Sequence, residues 1–129
     1  MQIKQFDINL DIKKTIEADT KIVIVQKDSK TTVFYISITD FGREYPLQYV
    51  EQIQVVFRDR AKKIVIQEDV TVEDNDIVCV LNDEVMNMTI GEVAFEVVLR
   101  QGERKITTER KYFYLRDSIY YKRKENGNG

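Results

Sequence analysis

Residues Thr31 to Asp59, TTVFYISITDFGREYPLQYVEQIQVVFRD, constrain the fold more than any other stretch. Two alternating runs flank a polar connection that holds the only proline, Pro46. In Thr32 to Asp40, Phe34, Ile36 and Ile38 fall on one side, with Val33, Tyr35 and Ser37 on the other. In Gln52 to Arg58, Ile53, Val55 and Phe57 share a side. A period of two is the signature of a half-buried strand. Pro46 has no ladder donor to give, so it belongs in the connection. The two runs therefore read as a strand pair around a proline loop, with the rest of the chain laying further strands onto it.

The flanking sequence repeats the pattern. Phe6, Ile8, Leu10 and Ile12 alternate with Asp7, Asn9 and Asp11, which predicts a strand over Gln2 to Lys13. Thr15 to Thr20 is a polar break. Lys21 to Gln26, KIVIVQ, is apolar on both faces and predicts a central or covered strand. Lys27 to Lys30 is a turn. After the charged turn at Arg58 to Lys62 comes one strand or a bent pair over Lys63 to Val72, grouping Ile64 and Ile66, then Val70 and Val72. Ile77 to Leu81 is the next strand. Asn82 is a plausible N-cap for a short helical turn through Met88, with Asp83 and Glu84 in its first turn and Gly91 as its stop. Glu92 to Arg100 alternates again, Gln101-Gly102-Glu103 signals a hairpin, and Lys105 to Leu115 returns as its partner.

About eight short strands at this spacing predict an all-β, antiparallel sandwich. Abundant Val, Ile, Tyr, Phe and Thr suit it, and scarce alanine argues against a helical bundle. At 129 residues the chain is one domain, long enough to bury a core without disulfide or metal support. Residues 1–116 form the expected sandwich. Residues 117–129 read as a tail in which Leu115 and Ile119 stand at helical spacing, a possible start of a stalk or a linker.

Composition removes several kinds of chemistry. There is no histidine, so histidine-based triads, bases and most transition-metal sites are absent. The single cysteine, Cys79, is in phase with Ile77 and Leu81 and reads as a core residue; without a partner it points to a reducing compartment or to indifference to redox. Twenty basic residues against 22 acidic ones give no overall drive toward nucleic acid or an anionic membrane. No apolar run reaches the roughly 18 to 20 residues of a membrane-spanning helix, and the N-terminus lacks the apolar centre of a signal peptide.

Motifs add little. Asp40-Phe41-Gly42 matches a kinase tripeptide, but the glycine-rich loop and His-Arg-Asp loop that give it meaning are missing. Asp69 and Glu73 to Asp76 form an acidic cluster without the spacing or the glycine of an EF-hand, and read as a solvated turn. Tyrosines mixed with basic residues from Arg110 to Lys124 suggest a protein contact more than a nucleic-acid surface. No catalytic, cofactor or metal residues are expected, and an enzyme is not expected. The candidate partner-contact residues are Tyr45, Pro46 and Tyr49 in the loop from Phe41 to Val50, and Ile119, Tyr120 and Tyr121 in the tail.

Across roughly residues 5 to 115 the chain resembles the N-terminal domain of siphophage baseplate upper proteins, found in phages and prophages of Gram-positive bacteria. The segments FDINLDIKK, TVFYISITD, REYPLQY and QIQVVFRD carry the resemblance, together with the block NDEVMNMTIGEVAFEVVLRQGERKITTERKYFYL. It implies an immunoglobulin-like sandwich in the virion tail baseplate, assembled in the host cytoplasm, that helps dock receptor-binding machinery onto the tail tip. Other tail or baseplate proteins are the implied partners, with homo-oligomerisation left open, and no active site is carried over. The alternative is a carbohydrate-binding or adhesin-like sandwich that touches the host surface, using Tyr45 and Tyr49 to stack a sugar.

Overall fold

The computed structural model describes residues 3–13, 22–26 and 31–118. They form two packed sheets. The first contains β1 (Lys4–Asp11), β3 (Thr32–Asp40), β8 (Asp76–Val80) and β7 (Thr71–Glu73) in that order, with β4 (Arg43–Glu44) paired to the end of β3. The second runs β2 (Ile22–Val25), β11 (Lys111–Arg116), β9 (Gly91–Gln101), β5 (Gln52–Arg58) and β6 (Ile64–Gln67), with β10 (Arg104–Thr107) also on β9. A single helical turn, α1 (Asp83–Met86), links β8 to β9. The all-β sandwich is thus as the alternation demands.

The apolar positions read from the sequence fill the space between the sheets. Ile8, Leu10, Phe34, Ile36, Ile38, Ile77 and Cys79 face Val55, Phe57, Phe95, Val97, Leu99, Phe113 and Leu115, all buried. Four phenylalanines meet at the centre: Phe34 lies 5.2 Å from Phe95 and 5.8 Å from Phe113, and Phe57 lies 6.3 Å from both Phe95 and Phe113 by ring centroids. Aromatic pairs at these separations add to simple burial. Asn82 caps α1 through Oδ1, which accepts from the Val85 amide at 3.0 Å, and Val85, Met86 and Met88 plug one end of the core.

Several expectations are corrected. The two runs around Pro46 are not a hydrogen-bonded pair: β3 and β5 lie in different sheets, so the proline loop crosses the sandwich. The sheets are mixed, because β1 pairs parallel with β3 and β2 pairs parallel with β11. The chain leaves the first sheet after β1, adds β2 to the second and returns, and this crossover lets β1 and β3 run the same way. There are eleven strands among the described residues rather than about eight. β2 is an edge strand with Val23 exposed, not a central one.

The face of β6 is opposite to the Ile64 and Ile66 grouping. Its register sets Val65 against Phe57 and Gln67 against Val55, so Val65 and Gln67 enter the core while Ile64 and Ile66 are exposed. Buried Gln67 is satisfied by donating to the Val80 carbonyl at 2.6 Å and accepting from the Asn82 amide at 3.3 Å. The single strand expected over Lys105 to Leu115 is broken. Thr108 and Glu109 turn inward between β10 and β11, and the Thr108 hydroxyl accepts from the Val97 amide at 3.0 Å. Gly91 opens β9 rather than stopping the helix, which ends at Asn87. Ile119, Tyr120, Tyr121 and the expected helical tail lie outside the described residues.

Candidate interaction surface

At one end of the sandwich β3 turns into β4 through Phe41 and Gly42. Asp40 faces Arg43 and Thr39 faces Glu44, which leaves a two-residue hairpin loop. The type I′ form of such loops needs positive φ at both positions, and Phe41 (51°) and Gly42 (79°) supply it. Glycine adopts this conformation freely, whereas for a bulky side chain such as Phe41 it is strained. The strain is held by Asp11. Its carboxylate accepts from the Gly42 amide at 3.0 Å, the Thr39 hydroxyl at 2.7 Å and the Lys13 amide at 3.0 Å. Burial opposes the charged form, but these hydrogen bonds win and hold the Asp11 carboxyl well below the usual carboxylate range.

The turn thereby presents Phe41 to solvent at 71% exposure. The Lys13 ammonium lies 5.6 Å from the centre of its ring and pairs with Asp40 at 3.2 Å. The Phe41 ring is thus kept exposed on a strained, pinned turn, with Lys13 as its cation–π neighbour. It is suited to meeting a partner.

The loop that follows is anchored by Asn75, at the β7–β8 turn. Its Oδ1 accepts from the Leu47 amide at 2.8 Å, and its Nδ2 donates to the Tyr45 carbonyl at 2.9 Å and to Glu44 at 3.0 Å. Leu47 is drawn into the core, and Tyr45 packs half-buried against it with its hydroxyl 3.3 Å from Gln101 Oε1. Pro46 and Tyr49 remain exposed, Tyr49 at 67%. Of the three loop residues singled out from sequence, then, Pro46 and Tyr49 are available and Tyr45 is largely committed to the fold. Phe41 is the residue that sequence reasoning passed over; a bulky side chain in a two-residue hairpin turn was its only signal.

Of the acidic cluster, Glu73 to Asp76 belong to this β7–β8 hairpin, with Asp74 and Asn75 at positive φ, while Asp69 lies in the connection between β6 and β7. Among the described residues no group of three or more carboxylates, thiols or imidazoles is placed to hold a metal. Cys79 is buried, and desolvation pushes its thiol up to about 12, so it is inert as a nucleophile. No helix among the described residues is long and apolar enough to cross a membrane.

No family model and no curated protein matches the sequence. Solved structures match the fold. The N-terminal domain of phage TP901-1 ORF48 superposes with a TM-score of 0.70 over 88% of this chain and 99% of that one, at 10% sequence identity. The two share a fold. ORF48 is a baseplate upper protein, so the likeness read from the sequence segments holds at the level of architecture. The ORF48-like fold survives at this identity because a sandwich core asks for apolar side chains of about the right volume at alternating positions rather than for particular residues.

Proposed function

We propose that this domain is a structural, non-catalytic part of a phage or prophage tail baseplate, and that it docks receptor-binding machinery onto the tail tip. The fold shared with the ORF48 N-terminal domain carries this reading. The end bearing Phe41, Pro46 and Tyr49 is the docking face: exposed apolar groups with Lys13, Arg43 and Glu44 at their margin follow the apolar-centre, charged-rim pattern of protein interfaces. Partners are other tail proteins, and the place of action is the virion tail, after assembly in the host cytoplasm. Sugar stacking on Tyr45 and Tyr49 is less favoured, because Tyr45 is packed against the core.

The test mixes the chain with the tail protein encoded beside it and follows the mass by size-exclusion chromatography with light scattering. A complex that weakens at least tenfold in Phe41→Ser, with an unchanged melting temperature, is the expected result. No complex with any neighbouring tail protein overturns the docking role. A complex indifferent to Phe41 and Tyr49 overturns the choice of face.

A further inference from the structure

The opposite end of the sandwich carries a second surface. β5 starts just after the Pro46 loop and ends at Arg58, so the β5–β6 turn, residues 59–63, lies a strand's length from Phe41. This turn is built as rigidly as the first. Buried Asp59 accepts from the Ala61 and Lys63 amides at 2.9 Å each through Oδ1, and from the Thr89 amide at 3.0 Å through Oδ2. The Lys62 amide donates to the Asp59 carbonyl at 2.9 Å, and Lys62 sits at φ 68°. Gly91, at φ 128°, leaves open the space through which the Arg60 side chain passes: a Cβ at position 91 would stand 2.6 Å from Arg60 Cδ. The stem of Arg60 therefore passes close over the start of β9, while the residue as a whole stays exposed.

These devices aim Arg58, Arg60 and Lys62 into one open cavity of about 400 Å³, whose other walls are Asp59, Glu92, Ala94 and Tyr112. None of the three cations is ion-paired with a described residue. Asp59 keeps its charge but spends its carboxylate on backbone amides and makes no ion pair with them, so the three cations outnumber the two carboxylates, Asp59 and Glu92, in the lining. We propose that this cup is a binding site for an acidic protein segment, its carboxylates held by Arg58, Arg60 and Lys62. The two arginines offer forked donors that match carboxylate geometry. Ala94 and the Tyr112 ring give the methylenes of a glutamate an apolar wall. With Asp59 and Glu92 beside the cations the lining has only a small positive excess, suited to one or two carboxylates of a protein segment rather than to the continuous charge of a nucleic acid. This site stands whether or not the Phe41 end docks as proposed.

Titration of the ¹⁵N-labelled chain with an end-blocked hexaglutamate peptide tests it, with hexathymidylate and inorganic phosphate as parallel arms. Saturable shifts confined to the amides of residues 58–63, 91–92 and 112 are expected. Affinity should fall at least tenfold in the surface variant Arg60→Gln/Lys62→Gln, and as NaCl rises from about 50 to about 500 mM. Gly91→Ala, which removes no charge, should weaken binding by displacing Arg60; if it fails to fold, the double variant alone decides. Shifts spread over all exposed basic residues, or undiminished in the double variant, overturn the site. Tighter binding of the oligonucleotide or of phosphate than of the peptide overturns its assignment to an acidic protein.

Discussion

Asp11 and Glu109 exchange two hydrogen bonds across the edge of the sandwich. The Asp11 amide donates to Glu109 Oε2 at 2.8 Å, and the Glu109 amide donates to the Asp11 carbonyl at 2.8 Å. Asp11 ends β1 in the first sheet, while Glu109 lies in the inward break between β10 and β11 of the second. Both are buried, so water does not compete. Through its carboxylate the same Asp11 holds the Phe41 turn, which ties the joint between the sheets to the Phe41 end of the sandwich. Glu109→Ala should cost about 1–3 kcal/mol, the penalty of leaving a buried donor unpaired. Glu109→Gln keeps an acceptor and should cost less. Urea unfolding of both variants checks the order; equal losses would show that the hydrogen bond is immaterial.

The pH dependence follows from Asp11 and Asp59, both held below the usual range by hydrogen bonds that outweigh burial. A carboxyl whose folded pKa is depressed stabilises the fold above its unfolded pKa, about 3.9, and loses that contribution as pH falls further. Stability should be flat from about pH 7 to 5 with respect to these groups and should drop below about pH 4. In Asp11→Asn the protein should be weaker at pH 7, and its deficit relative to the parent should shrink toward pH 3. Denaturant midpoints at pH 7, 4 and 3 measure this. A deficit that stays constant with pH would contradict the assigned shift.

Phe34 touches the rings of Phe6, Phe95 and Phe113 and is fully buried. Phe34→Ala should cost about 3–5 kcal/mol through lost transfer energy and the cavity left behind. A thermal melt unchanged by this substitution would mean that the ring cluster is not the centre of the core.

The face of β6 can be tested with two neighbouring residues. Ile66→Thr alters an exposed side chain and should change stability by no more than about 0.5 kcal/mol. Gln67→Leu, nearly the same size, removes the partner of the Val80 carbonyl and the Asn82 amide and should cost about 1–3 kcal/mol. The reverse order would restore the face suggested by the sequence.

Asn75→Gly keeps the positive φ of the turn but deletes the side chain that fastens the Pro46 loop. Hydrogen exchange at the Leu47 amide should accelerate markedly while the Phe95 amide, in the centre of β9, stays protected. Equal protection at Leu47 would show that the loop holds without this anchor.

The sequence by itself determined the class and most of the core. Side chains on a strand alternate by local geometry, so the inward faces of β1, β3, β5, β8 and β9 were legible without knowing any partner. The Asn82 cap was legible for the same local reason. What only the tertiary structure decided are relations between distant segments. Period-two patterning does not say which strand lies beside which, so the placement of β3 and β5 in different sheets and the parallel pairs β1–β3 and β2–β11 were invisible. In β6 three apolar residues in a row made both faces plausible, and the register against Phe57 chose one. Phe41 on its turn, and Arg60 across Gly91, each depend on side chains brought from elsewhere in the chain. Backbone period is a property of neighbours in sequence, whereas pairing, pinning and exposure are properties of neighbours in space.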